Sequence, residues 1–158
     1  MKFIVDANVG KLTKWLRLLG HDTVFFDGKK DAEMIAQALD EERTILTRDT
    51  HIMKWGIVSK GRVRALLVEA DEPQLQVRQV VRELKLEMPD HAFTVCLECN
   101  ERLKAVERED IRRRVPPYVL VTQQDFLECP KCHRVYWKGT HWRAMVEKVR
   151  RLSADTQA

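Results

Sequence analysis

The fold is decided by residues 3–20, a stretch that carries the letters FIVDANVGKLTKWLRLLG. It opens with the apolar run Phe3-Ile4-Val5, which predicts a buried strand that ends at Asp6. The helix predicted next, over residues 11–19, has apolar side chains three and four residues apart, so they share one face. Gly20 supplies the end of that helix. A strand followed by an amphipathic helix begins the pattern of an α/β fold.

The alternation of strands and helices continues through the first half of the chain. Further strands are predicted over residues 23–26, 44–47 and 63–68, and further helices over residues 31–42 and from Pro73 onward. Asp31 is predicted to cap the first of these two helices. Strands that alternate with helices indicate a parallel sheet covered by helices on both faces.

The pattern changes near residues 88–90, where we predict a domain boundary. The first domain then spans residues 1–90 and the second spans residues 91–158. The second domain contains two cysteine pairs and ends in a helix with apolar side chains on one side. We therefore expect this final helix to pack back on the first domain.

All four cysteines fall into two C-x-x-C pairs, Cys96 with Cys99 and Cys129 with Cys132. A two-residue gap lets both thiolates of a pair reach one tetrahedral zinc ion. Two such pairs fill the four positions, so the expected zinc is structural and helps to fold a segment too small for a large core. The alternative is a redox dithiol, which two pairs and no other cysteine disfavour.

Aspartates stand at the ends of several predicted strands. Asp6 ends the first strand, Asp49 follows the third and Asp71 follows the fourth, while Asp31 opens the helix after the second. Sites in parallel sheets form outside the carboxyl ends of the strands, so we expect these carboxylates to face one edge. Mg²⁺ or Mn²⁺ would relieve their repulsion and could activate water against a phosphodiester. The alternative is structural, because aspartate is also a common helix cap and turn former.

The basic excess lies in the second half of the chain. Residues 1–90 hold fifteen basic and fifteen acidic side chains, whereas residues 91–158 hold thirteen and nine and so carry the net charge of +4. A local basic surface indicates a polyanionic partner. Near the second cysteine pair, where aromatic and basic residues are interleaved, the candidates for RNA contact are Lys131, Arg134, Trp137, Lys138 and His141. The alternatives are an ordinary solvated surface and, for Trp137, a place in the core.

Arg48 is a further candidate for contact with the RNA backbone. Its guanidinium could bind a phosphate, or it could pair with a neighbouring acid. The sequence leaves both roles open.

Composition excludes several other classes of protein. The hydrophobic fraction of 44% and charged fraction of 33% are typical of a globular chain, and no apolar run is long enough to span a bilayer. The apolar run at the N-terminus is too short for a signal peptide, so we expect a cytoplasmic protein with reduced cysteines. The lack of a glycine-rich phosphate loop argues against a nucleoside triphosphatase.

The residues resemble the PIN-like ribonuclease domain named after the C-terminal part of the Mut-seven exonuclease. The stretches that carry the resemblance are Asp6 with residues 11–20, Asp31, residues 47–49, residues 96–100, residues 129–132 and residues 136–141. The resemblance implies a PIN-like three-layer α/β/α sandwich with a mostly parallel sheet, plus a small C-terminal zinc ribbon. It also implies metal-dependent cleavage of RNA, with Asp6, Asp31 and Asp49 around Mg²⁺ or Mn²⁺. Asp71 is a looser match to the catalytic set.

Two functions of different classes are therefore expected. The first is a metal-dependent endoribonuclease in which the ribbon holds the RNA strand. The second is a non-catalytic adaptor that binds RNA or protein through the zinc ribbon, with the aspartates serving only as caps and turns.

Overall fold

A four-stranded parallel sheet forms the centre of the structure, a computed structural model that describes residues 1–87 and 94–154. Its strands are β1 (Lys2–Asp6), β2 (Asp22–Phe26), β3 (Thr44–Thr47) and β4 (Ala65–Leu67). Their order across the sheet is β2-β1-β3-β4, and each neighbouring pair is parallel. The predicted parallel sheet is confirmed. Strand β4 is shorter than predicted, since Val63 and Val68 are buried beyond its two ends.

Five helices surround this sheet in the first half of the chain. They are α1 (Leu12–Leu18), α2 (Asp31–Asp40), α3 (Thr50–Met53), α4 (Gly56–Ser59) and α5 (Pro73–Glu83). Gly20 ends α1 with a φ of 88°, a backbone conformation that glycine adopts without strain. The prediction that Asp31 caps α2 is wrong, because Lys30 holds the cap position. Asp31 is instead the first residue of the helix, where the helix dipole favours a negative charge.

The helices cover both faces of the sheet. Phe3 and Val5 of β1 are buried against α1 and α5, whereas Ile4 between them is buried against α2. This follows from the two-residue period of a strand, which turns successive side chains to opposite faces. The predicted three-layer α/β/α sandwich is confirmed.

The second half of the described chain contains a small antiparallel sheet and a long helix. Its elements are β5 (Lys104–Val106), α6 (Arg108–Ile111), α7 (Pro117–Thr122), β6 (Phe126–Glu128), β7 (Val135–Tyr136) and α8 (Thr140–Ala154). Strand β6 lies between β5 and β7. Helix α8 packs against α5, and Val149 joins the core that α1 and α5 form with the sheet.

The predicted boundary at residues 88–90 lies outside the described residues. Across the described ranges, no helix has the length and apolar character needed to cross a membrane.

Candidate active site and metal-binding cluster

Two of the predicted aspartates lie at the carboxyl ends of neighbouring strands. Asp6 is the last residue of β1, and its Oδ1 accepts a hydrogen bond of 2.8 Å from the amide of Ala7. Asp49 follows β3, caps α3, and accepts a hydrogen bond of 2.8 Å from the amide of His51. Both aspartates therefore have the capping role that the structural alternative requires. These bonds also fix the two carboxylates and leave acceptor capacity on their oxygens.

Thr47 connects these two aspartates, a role that the sequence analysis missed. Its hydroxyl donates to Asp6 Oδ2 over 2.7 Å and accepts from the amide of Asp49 over 3.0 Å. The side chain is fully buried as the last residue of β3. A threonine at the carboxyl end of a buried strand, directly before Arg48-Asp49, is the signal that could have pointed to it.

Asp31 lies close enough to the other two aspartates to feel their charge. Partial burial, together with the negative charges of Asp49 and Asp6, raises the pKa of the Asp31 carboxyl above its usual range. The three carboxylates are nevertheless not in mutual contact. Within the described residues, only the four cysteines form a set of three or more potential metal ligands whose atoms all lie within 4.8 Å.

Replacing Asp31 by asparagine should stabilise the zinc-loaded protein at neutral pH when neither Mg²⁺ nor Mn²⁺ is added. Because the folded chain holds the Asp31 proton more tightly than the unfolded chain, the free energy of unfolding falls as pH rises through the folded pKa. The neutral amide avoids this loss. The gain should therefore vanish below the usual aspartate range, where the parent carboxyl is also neutral. Urea unfolding of both proteins from neutral to acid pH measures the difference, and a less stable variant at neutral pH would contradict this electrostatic explanation.

Asp71 and Arg48 form an ion pair beside these aspartates. Arg48 Nη2 lies 2.6 Å from Asp71 Oδ1, and the Asp71 side chain is 87% exposed. The amide of Arg48 donates to Asn8 Oδ1 over 3.2 Å, which connects the loop after β3 to the 3-10 helix after β1 (Ala7–Val9). The structure thus favours the neighbouring acid as the partner of Arg48.

The four cysteines come together in a second cluster. Cys96 and Cys129 are completely buried, Cys99 is partly buried, and Cys132 is exposed. The Sγ atoms of Cys96 and Cys132 are 3.7 Å apart. Thiolates on a tetrahedral zinc ion, each about 2.3 Å from it, lie about 3.8 Å from one another. The cluster therefore fits a zinc ribbon.

Each cysteine pair lies in a loop of the same backbone shape. In the first knuckle, residues 96–101, the amide of Asn100 donates to the Cys96 carbonyl over 3.0 Å. In the second knuckle, residues 129–134, the amide of His133 donates to the Cys129 carbonyl over 2.9 Å. Asn100 and His133 have φ values of 64° and 61°. His133 is thus placed by its backbone, and its exposed ring faces Glu128 and not the sulfurs.

Tyr136 prepares Cys96 for ionisation. Its hydroxyl lies 3.1 Å from Cys96 Sγ and 3.1 Å from the amide of Leu97. Burial opposes the charged thiolate, but hydrogen bonds from Tyr136 and from the amides of Cys99 and Glu98 outweigh it. They lower the pKa of the Cys96 thiol to about 7. Because metal binding requires thiolates, this arrangement favours zinc binding by Cys96, whereas burial raises the pKa of Cys99 and Cys129 as long as no cation is bound.

A comparison with protein families gives a match that spans both the parallel sheet and the four-cysteine cluster. The family model described as Mut7-C RNAse domain matches residues 1–149, which is most of the chain. The chain belongs to the Mut7-C RNAse domain family. No curated protein and no solved structure gave a significant match.

In this Mut7-C RNAse domain the first knuckle is attached directly to the parallel sheet. Arg17 of α1 donates to the carbonyls of Leu97 and Thr23 over 2.8 and 2.9 Å. Asn100 Oδ1 accepts from the amide of Thr23 over 2.9 Å, and its Nδ2 donates to Asp22. The knuckle therefore satisfies polar groups on β2, an edge strand of the sheet.

The residues predicted to contact RNA have different environments. Lys131, Arg134 and His141 are exposed, whereas Trp137 is half-buried. Lys138 Nζ lies 5.6 Å from the ring centroid of Trp142, which is only 8% exposed and belongs to the ribbon core. The exposed side chains remain available for solvent-facing contacts, and their binding role stays a prediction.

Proposed function

We propose that this Mut7-C RNAse domain is a metal-dependent endoribonuclease that hydrolyses RNA at the carboxyl edge of its parallel sheet. The family match supports a ribonuclease-like role. The observation that carries the metal site is the hydrogen-bond chain from the backbone amide of Asp49 through the Thr47 hydroxyl to the Asp6 carboxylate, which ties together the ends of two adjacent strands. If Asp6 and Asp49 served only as helix caps, they would not need to share the buried hydroxyl of Thr47.

The donor set at this edge suits Mg²⁺ or Mn²⁺. Asp6, Asp31 and Asp49 offer hard carboxylate oxygens, which these ions prefer to sulfur or nitrogen. Burial and, after it, the negative charges of Asp49 and Asp6 raise the pKa of Asp31, and a divalent cation would offset both effects. A bound ion would supply positive charge both to activate water and to stabilise the leaving oxygen of the phosphodiester.

The chain's own residues then have separate roles. Asp6, Asp31 and Asp49 would hold the ion, and Thr47 would position two of them through its hydrogen bonds. Asp71 would contribute to catalysis through Arg48, since their ion pair holds the guanidinium beside the edge. Arg48 would in turn bind a phosphate of the RNA, a contact for which its planar group is well shaped.

We further propose that zinc in the four-cysteine cluster is structural and that the chain has two parts. Residues 1–90 would form the nuclease domain, and residues 91–158 the zinc ribbon with its C-terminal helix. The exposed or half-exposed candidates on the ribbon, Lys131, Arg134, Trp137, Lys138 and His141, would hold the RNA strand. Contacts with phosphate make this binding salt-dependent, so affinity should fall as salt rises.

The test is cleavage of end-labelled RNA by the zinc-loaded protein. The protein and buffer are freed of other divalent ions by a chelating resin, since a soluble chelator would also strip the zinc. We expect internal cleavage when Mn²⁺ or Mg²⁺ is added and none without it.

The adaptor function would give a different result in the same experiment. RNA would bind with or without Mn²⁺, would stay intact, and would be released when zinc is removed. That outcome, across single-stranded and hairpin RNA, would contradict the nuclease proposal.

A further inference from the structure

A largely apolar groove begins next to the proposed catalytic edge. It has a volume of about 640 Å³ and lies between α1 and the first knuckle. Gly10 and Phe25 line one end, and Leu97 and Met145 line it further along. We call it the α1 groove.

A second cavity continues from the α1 groove toward the ribbon. It has a volume of about 390 Å³ and shares Lys14, Leu97 and Met145 with the first. Its far part is lined by Trp137 and His141, two of the residues predicted to contact RNA. The two cavities thus extend from Gly10, in the turn after Asp6, to the proposed RNA-binding part of the ribbon.

Phe25 is an exposed aromatic ring beside this edge. It lies on β2 in register with Val5, one position before the pair of Phe26 with Asp6. Its exposed fraction is 43%, which is large for a phenylalanine. A Cβ at Gly10 would lie 3.0 Å from the edge of the ring, so the turn after Asp6 packs closely against Phe25. The ring is therefore positioned on one edge while part of its surface stays open.

The charges around the groove suit a polyanion. Lys11, Lys14 and Arg17 line it together with one acid, Glu98. Lys14 Nζ lies 2.8 Å from Glu98, so the single negative charge is already paired. The hydrogen bond from Lys14 and, more weakly, the charge of Arg134 lower the pKa of Glu98, which places another cation near the same rim. An apolar floor with a basic rim is the arrangement that binds single-stranded nucleic acid by stacking and by phosphate contacts.

We propose that the α1 groove binds single-stranded RNA, with a base stacked on Phe25 next to the phosphate at the catalytic edge. The proposal rests on the proposed ribonuclease function and specifies its substrate as unpaired RNA. Duplex RNA keeps its bases stacked inside the helix, so it cannot place them on the apolar floor. The strand would leave the edge along α1 and reach Trp137 and His141 on the ribbon.

Binding without cleavage tests this path. A fluorescent single-stranded RNA and a duplex of the same sequence are titrated with zinc-loaded protein in buffer freed of other divalent ions. We expect Phe25→Ala to bind single-stranded RNA about 5- to 150-fold more weakly, the range that corresponds to the loss of one stacked base. Phe25→Trp should bind like the parent, because it keeps a stacking face. Tyr118→Ala is the matched control, since Tyr118 is 70% exposed but lines neither cavity.

A second variant tests the basic rim without altering strand β2, which carries Phe25. Lys11→Gln should weaken binding and lower the slope of log affinity against log salt by about one. Lys11 is exposed, so this variant should fold like the parent even if Phe25→Ala does not. Crosslinking of photoreactive RNA followed by mass spectrometry should place the contact at Phe25.

The outcomes separate this proposal from the proposed function. Equal binding of the parent and both variants, or equal binding of single-stranded and duplex RNA, would overturn the groove proposal even if Mn²⁺-dependent cleavage occurs. Binding that depends on Phe25 and Lys11, with the bound RNA left intact after Mn²⁺ is added, would support the groove and contradict the nuclease.

Discussion

Asp6→Asn is expected to lower the rate of RNA cleavage by roughly 100-fold or more, since a metal ion contributes several kcal/mol to such reactions. The amide removes the charge of a proposed metal ligand at the end of β1. The fold should persist, because the asparagine side chain has the same size and its oxygen can still accept from the amide of Ala7, although the bond that Asp6 accepts from Thr47 is lost. The measurement is single-turnover cleavage in Mn²⁺, together with thermal unfolding of both proteins.

Asp40→Asn is the matched control for this variant. Asp40 is an exposed aspartate at the C-terminal end of α2, whereas Asp31 begins that helix near the catalytic edge. The control removes one negative charge without touching the proposed site, so its cleavage rate should equal that of the parent. If Asp6→Asn is folded and cleaves as fast as Asp40→Asn, the sheet edge is not the active site.

The second large effect is expected from Cys129→Ser. The thiol is completely buried in the four-cysteine cluster, and serine is a much poorer zinc ligand. Zinc binding supplies on the order of 10 kcal/mol to the folding of small zinc domains. We therefore expect the variant to lose stoichiometric zinc and the ribbon to unfold at a lower temperature than in the parent. Metal analysis and thermal unfolding measure both effects.

The loss should extend into the part of the chain that contains the parallel sheet, through the first knuckle. Arg17 and Asn100 connect this knuckle to α1 and to β2, so hydrogen exchange at α1 should also become faster. His133→Asn is the control, because Asn100 already holds the equivalent position in the other knuckle and tolerates the same positive φ. Retained zinc and unchanged exchange in Cys129→Ser would show that the four cysteines do not form one structural site.

The elements of the fold could be predicted because their side-chain spacing is local. The alternation of strands and helices in residues 1–87 was enough to predict a parallel sheet, and the two C-x-x-C spacings were enough to predict the cluster. The parallel sheet in turn explains why Asp6 and Asp49 lie at one edge. Periodicity thus predicted a parallel sheet covered on both faces, whereas the three-layer sandwich was what the family resemblance implied.

The connections between distant residues could not be predicted in the same way. Thr47 meets Asp6 only because β1 and β3 are neighbours in the sheet, and Arg48 meets Asp71 only because β3 and β4 are. Arg17 and Leu97 are far apart in the chain, and no local pattern relates them. The exposure of Phe25 likewise depends on which elements leave the end of β2 uncovered.

The proposal that the carboxylates at the sheet edge hold a metal ion is tested most directly by titrating Mn²⁺ into the zinc-loaded protein. Electron paramagnetic resonance measures the concentration of the free ion at each step. We expect the parent and Asp40→Asn to bind Mn²⁺ alike and Asp6→Asn to bind it roughly tenfold more weakly or worse, since even the loss of a residue that only supports a metal ligand costs about 10- to 100-fold. Equal binding of Mn²⁺ by all three proteins would contradict the claim that the carboxylates at the sheet edge hold the catalytic ion.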